Sequence, residues 1–286
     1  MKKSLIALAA ALPVALAAPA HADHHEKAMP AGMDHAAHHA LMKAVAADWR
    51  GEDKARDQYR HPVETLMFFG VEPGMTVVDY FPTPGWYTKI LVPYLGEKGT
   101  YIGALKTLSF ASETAQASQN EFAERFPRVM GEAMDKAGVE NRARFLGINT
   151  NDIPDEVKGT ADRVLIFRMM HNMKRWGLVH EELGNIRALL KDDGMLGIVQ
   201  HRAPADASYD YADGNNGYLR QQDVIKLVEA HGFELVGMSE INANPKDTAD
   251  HEGGVWQIPP SWASKDEAKK AIGESDRMTL LFKKAD

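Results

Sequence analysis

The sequence predicts an α/β domain built on a parallel sheet with helices on both faces. Short apolar runs alternate with segments whose apolar residues recur at helical spacing, and glycines and prolines punctuate the junctions between them. Composition agrees: 286 residues that are 44% hydrophobic and 26% charged suit a globular chain and exclude a mainly disordered, collagen-like or multi-span membrane protein. The 33 Lys and Arg against 40 Asp and Glu give a net charge of −7, so no nucleic-acid partner is expected. The absence of cysteine excludes disulfides, thiolate metal sites and a cysteine nucleophile.

The first residues read as an export signal. Lys2 and Lys3 precede an uncharged apolar run from Leu5 to Ala18, and Ala20-His21-Ala22 supplies a small-x-small cleavage pattern. Cleavage is expected after Ala22, with delivery to a periplasm or the exterior and no stable membrane insertion afterwards, the run being short for a bilayer span. Residues 23–40, with His24, His25, His35, His38, His39, Met29 and Met33, read as a disordered leader; weak metal binding is the alternative. Residues 41–286 form one domain.

Its elements follow in order. Leu41–Trp49 and Lys54–Tyr59 have helical composition. His61 caps a short helix with Pro62 at its first position and Gly70 as its stop. Met75–Tyr80 is the first strand, and a loop through Gly85 leads into a helix ending near Leu95. Thr100–Leu105 is the second strand. A long helical stretch interrupted at Pro127 precedes the third, Ala143–Gly147, and Asp162–Arg168 is the fourth. Val179, Leu183, Ile186 and Leu190 mark a helical face that stops at Asp192-Asp193-Gly194. Met195–Gln200 is the fifth strand, a helix around Val224–Val228 ends at His231-Gly232, and Phe233–Met238 and Arg277–Lys283 are the last two strands. Lys265–Lys270 reads as a solvated helical face.

Ligands of such sheets bind outside the carboxyl ends of the strands. That rule picks out Asp79 with the loop to Gly85, Leu105, Asn151 and Asp152, Arg168 to His171, His201 and Arg202, and Glu240 to Asn244.

Several stretches carry a family resemblance: Val77-Val78-Asp79, Gly85-Trp86-Tyr87, Arg168-Met169-Met170-His171-Asn172, and the closing strand. The chain resembles a class I S-adenosylmethionine-dependent methyltransferase. More narrowly, Arg60-His61-Pro62, His201-Arg202-Ala203, Ile241–Asp247 and Gly273–Leu280 are similar to a secreted bacterial subfamily of predicted methyltransferases. The resemblance spans residues 48–284. It implies a Rossmann-like, doubly wound, three-layer αβα fold with seven strands. The last strand would be antiparallel and inserted between the fifth and sixth, so that Ser275, Asp276 and Arg277 face the same crevice as His171 and His201. Residues 242–274, with Trp256, Pro259, Pro260 and Trp262, would cover that crevice.

The resemblance also implies S-adenosylmethionine as cofactor, held by Asp79, Phe81, Thr83, Gly85, Trp86, Tyr87, Leu105, Asp152 and Arg168. Glycines in the first turn normally let the backbone approach the cofactor's amino-acid portion. Here only Gly85 occupies such a place; Phe81 and Thr83 take the other two, and Leu105 stands where an acidic residue normally holds the ribose. His171 and His201 are the candidate catalytic bases or, together, metal ligands; no metal is assigned. Arg202, Glu240, Asn242, Asn244, Asp276 and Arg277 are candidate substrate ligands. Arg168, Arg202 and Arg277 could clamp a carboxylate or phosphate, or Arg277 could pair structurally with Asp276 or Glu240. Trp86 and Tyr87 either stack on a flat ligand or pack on the sheet. Asp57, Arg60 and His61 could close the crevice from above, although Pro62 already accounts for the local chain path. Two functions stand: an exported methyltransferase acting on a small molecule, or an exported binding protein for a small anion or metal on the same scaffold.

Overall fold

Side chains alternate across a strand, so each strand feeds two helical layers at once. The computed structural model describes residues 35–285. The export signal, its cleavage site and residues 23–34 of the leader lie outside the described residues. The rest of the leader is helical rather than irregular: α1 (His35–Ala46) begins ahead of the expected Leu41, because Ala37, Leu41 and Ala44 fall on one buried face. A 3₁₀ segment (Asp48–Arg56), α2 (Asp57–Arg60) and α3 (Pro62–Phe68) follow. His61, in the left-handed region at φ 40°, turns the chain between α2 and α3 and sets Pro62 at the first helical position.

The strands are β1 (Thr76–Tyr80), β2 (Thr100–Leu105), β3 (Arg144–Asn149), β4 (Ala161–Phe167), β5 (Leu190–Ala203), β6 (Leu219–Arg220), β7 (Phe233–Ser239) and β8 (Arg277–Lys284). Their order is β3-β2-β1-β4-β5-β8-β7, with the two-residue β6 beside the end of β5. β1 to β5 run parallel, and β8 lies antiparallel between β5 and β7. β5 starts earlier than expected, since Leu190 already pairs with Ala161 and a bulge absorbs the acidic turn before Met195 pairs with Arg163.

On one face Val78, Ile102, Val164, Ile166, Leu196 and Leu280 meet helices α8 (Val179–Leu189) and α9 (Gln221–Glu229). On the other, Val77, Tyr101, Leu165, Val199 and Leu281 meet α1, α3, α4 (Thr88–Leu95) and α6 (Phe122–Lys136). This is the three-layer arrangement. The long helical stretch breaks at Glu121, between α5 (Glu113–Asn120) and α6, and not at Pro127, which α6 contains. Pro127 frees the Ala123 carbonyl, and β3 passes so close there that a Cβ at Gly147 would come 2.3 Å from that oxygen.

A third apolar cluster, Ala203, Ala212, Tyr218, Ala249, Val255 and Ile258, seats the covering segment on the loop after β5. Two short helices complete the chain, α7 (Met170–Arg175) after β4 and α10 (Glu267–Lys270) within the cover.

Candidate functional site

The parallel strands end along one rim, and β8 starts there. The register pairs His201 with Arg277, so the antiparallel strand delivers its first residues to the end of β5. His201 Nδ1 lies 2.5 Å from Ser275 Oγ, and the His171 ring, carried by α7, is 5.6 Å from the His201 ring. Gln200 orients His171, its Oε1 lying 3.3 Å from Nδ1 while its amide donates to the Gly217 carbonyl at 2.8 Å. Burial lowers the His171 pKa to about 4; the Gln200 contact opposes this and Arg175 and Arg168 add to it. Burial, then His171 and the arginines, drive His201 well below the ordinary range. Both imidazoles are neutral at pH 7.

Beside them lies a concentration of guanidinium groups. Arg60 is 2% exposed, and Arg277 and Glu274 are each 3% exposed. Glu274 bonds Arg56 at 2.6 Å, Arg60 at 3.2 Å and Arg277 at 3.2 Å. Burial pushes the Glu274 pKa up, but Arg60, Arg277, Arg56 and Arg168 outweigh it and hold the carboxyl at about 2. One carboxylate therefore serves three arginines. Arg277 also donates to the Tyr59 carbonyl, and Arg60 stacks over Trp86 at 4.6 Å. Donors are left over: Arg56 Nη2 and Arg60 Nη2 are buried without partners.

Arg168 adds a fourth cation. It makes no ion pair or side-chain hydrogen bond among the described residues, and burial lowers its pKa to about 9. Its backbone is left-handed at φ 59°, a conformation costing a non-glycine residue about 1–3 kcal/mol, yet its N–H still donates to the Val199 carbonyl at 2.7 Å. Phe167 beside it stacks on Tyr87 at 3.6 Å. A polar cavity of about 130 Å³ reaches Glu274 and Arg277 from the α2 side, lined also by Tyr59, His61 and Lys246 among others.

The remaining candidate residues fall elsewhere. Arg202 is locked between Asp276 at 2.8 Å and Glu240 at 2.6 Å, an ion triad on the outer side of β5 and β8. Asn242 is buried and donates to Thr65 and Thr279, each at 3.0 Å; Asn244 donates to the Ile272 and Glu274 carbonyls at 2.9 and 2.7 Å. These two asparagines pin the ends of the cover. Trp86 and Tyr87 are buried in the sheet-side core ahead of α4, and Thr83 and Asp152 are exposed. Asp79 faces α4, accepting from Tyr101 at 3.0 Å; burial raises its pKa to about 7 against that hydrogen bond.

The residues at the ends of β1 and β2 do not fit S-adenosylmethionine in the manner of the class. Pro82 and Pro84 have no N–H, and the Phe81 and Gly85 amides are spent on the Ala104 and Pro82 carbonyls at 2.8 and 2.7 Å. Leu105 is buried, and Lys106 after it is gripped by Glu181 at 2.7 Å and Glu182 at 3.4 Å from α8. Thr150 donates to the same Glu182 at 2.9 Å. Among the described residues no group of three or more His, Asp or Glu could hold a metal ion, and no helix is long and apolar enough to cross a membrane.

A cluster of rings gathers beyond the ends of β1, β2 and β4. Phe81, at φ 55°, lies 4.9 Å from Tyr80 and 6.2 Å from Trp176, and Phe110 is 5.8 Å from Trp176. Phe110 is 59% exposed. Arg175 spans Trp176 and Trp256, at 5.5 and 5.7 Å, and Trp256 is 6.1 Å from the His171 ring.

No protein-family model and no curated protein matches the sequence. Among solved structures, geranyl diphosphate C-methyltransferase from Streptomyces coelicolor A3(2), in complex with Mg²⁺, geranyl diphosphate and S-adenosyl-L-homocysteine, superposes with TM-score 0.50 at 13% identity, covering 92% of this chain and 91% of its own. The fold is that of the methyltransferases. The [4+2]-cyclase SpnF gives TM-score 0.49 at 13% identity over 86% of this chain and 93% of its own. An S-adenosylmethionine-dependent methyltransferase from Aquifex aeolicus gives 0.48 at 19% over 72% and 93%.

Arg56, Glu274, Gln200, Lys106, Phe110 and Trp176 were not singled out by sequence reasoning. The one local signal was Arg56 and Arg60 four residues apart; their meeting with Glu274 spans more than two hundred residues of chain.

Proposed function

We propose that this chain is an exported protein that binds a small anionic molecule at the arginine-rich rim of a methyltransferase fold. One observation carries the reading: Arg56, Arg60, Arg168 and Arg277 gather around a single carboxylate, with guanidinium donors to spare. Buried charges are normally paired, because desolvating a lone ion costs several kcal/mol, roughly. An oxyanion accepting from Arg168 and the free Nη2 groups would balance the cluster through charge-assisted bonds. The neutral His171 and His201 lend hydrogen-bonding capacity there without adding charge.

Methyl transfer from S-adenosylmethionine to a small molecule is the second reading, favoured by the fold shared with a methyltransferase whose structure holds S-adenosyl-L-homocysteine. Calorimetric titration separates the two. The anion reading expects saturable binding of acetate or phosphate that weakens in Arg168→Asn, with no heat from S-adenosylmethionine or S-adenosylhomocysteine at millimolar ligand. Saturable binding of either sulfur ligand, without anion binding, reverses the order. Recovery of the tagged chain, cleaved after Ala22, in the periplasm or medium of an expressing bacterium tests export; an uncleaved cytoplasmic chain refutes it.

A further inference from the structure

We infer that the anion carries an aromatic ring, and that the ligand class is an aryl carboxylate or aryl phosphate; this rests on the anion-binding reading above. The arginines and the rings occupy one rim. Arg168 follows Phe167 at the end of β4, and α7 then carries His171 and Arg175 toward Trp176. The His171 ring bridges the two zones, 5.6 Å from His201 on the cationic side and 6.1 Å from Trp256 on the aromatic side. Arg175 extends between Trp176 and Trp256 and offers its planar guanidinium to a ring face.

Phe81 and Phe110 come from the β1 and β2 ends and meet Trp176 from two directions. Phe110 is 59% exposed and has water on the side away from Trp176. The Phe110 ring, against Trp176 on one side and open to water on the other, leaves a face that a flat group can cover. An aliphatic anion would use the arginines and leave these rings wet. An aryl anion uses both, its oxyanion on Arg168 and its ring against Phe110 and Trp176 by offset or edge contact.

The test titrates the full chain with benzoate against acetate and with phenyl phosphate against inorganic phosphate, in the wild type, Phe110→Ala and Trp176→Leu. Expected is at least about a threefold to tenfold preference for the aryl member of one pair, the size of an aromatic contact. That preference should fall in both variants while affinity for the small anion stays unchanged. The pair showing it assigns carboxylate or phosphate. Phe110 is exposed, so Phe110→Ala leaves the fold intact, and an unchanged melting temperature verifies it. Equal binding of aryl and small anions, or a preference that survives both substitutions, overturns the aromatic assignment and leaves the anion site standing. No binding by any of the four overturns the anion site itself.

Discussion

Two buried polar clusters sit on the same edge of one sheet and differ in how their charges close. At the ends of β2 and β3, Lys106 meets Glu181 and Glu182, and Thr150 completes the set. At the ends of β4 and β5 and the start of β8, three guanidinium groups share Glu274 and leave donors over, with the Arg168 guanidinium unpaired nearby. The first cluster is satisfied from within and works as a strut between sheet and α8. The second keeps unpartnered Arg56 and Arg60 donors, which the proposed anion would meet. Burial and charge alone do not mark a binding site; several unpaired donors on neighbouring cations, gathered at one place, call for an explanation that a closed cluster does not.

The largest effect expected from breaking this contrast is in Glu274→Gln. It strips the one carboxylate from three arginines and should cost about 3–5 kcal/mol in denaturant unfolding, partly recovered at high phosphate. A loss under about 1 kcal/mol would show the arginines already solvated. Next, Lys106→Met should cost about 3 kcal/mol, since Glu182 stays buried without a cation, only the neutral Thr150, Asn185 and Tyr80 side chains bonding it. Anion affinity should not change, because the clusters share no residue.

The third expectation concerns pH. The His171 pKa is about 4 in the folded protein, below the unfolded value near 6.5. Between those values the unfolded chain binds the proton and the native one does not, so stability rises with pH across the window. His201 acts in the same direction. Asp79, at about 7 when folded, opposes them, because the native state keeps its proton while the unfolded state loses it near pH 3.9. Two histidines against one aspartate leave a net rise from pH 4.5 to 6.5. His171→Asn should flatten that slope by about 1.4 kcal/mol per pH unit; an unaltered slope in urea melts would mean His171 is charged when folded.

The smallest effect sharpens the contrast. Arg168→Asn removes an unpaired cation while keeping a residue that tolerates left-handed backbone. Affinity for the anion should fall about 10- to 100-fold, the worth of a charged hydrogen bond, with no loss of stability. Destabilisation in urea would instead make Arg168 a structural group.

Most of the sheet was readable from the chain because its strands are short apolar runs between clear breakers. β2 ends where the sequence predicts, and β1, β7 and β8 agree within a residue at each end. The placement of β8 between β5 and β7 came from resemblance; periodicity carries no information on strand order. Boundaries slipped where local chemistry was ambiguous: the alanine-rich start of α1, and the acidic turn that β5 absorbs as a bulge. The site was legible only as a set of strand ends. His171, His201, Arg168 and Arg277 come from such ends and do gather, while Arg202, Glu240 and Asp276 come from neighbouring positions and close on each other. One residue of offset along an extended chain reverses the side chain's direction, and a list of strand ends does not fix that offset.

The insertion of β8 has a consequence for how the protein is made. β5 and β7 cannot be joined until residues 277–284 take their place between them, so a chain lacking those residues carries two unsatisfied strand edges. The same residues bring Arg277 to its place, so the cationic rim stays incomplete until β8 has inserted between β5 and β7.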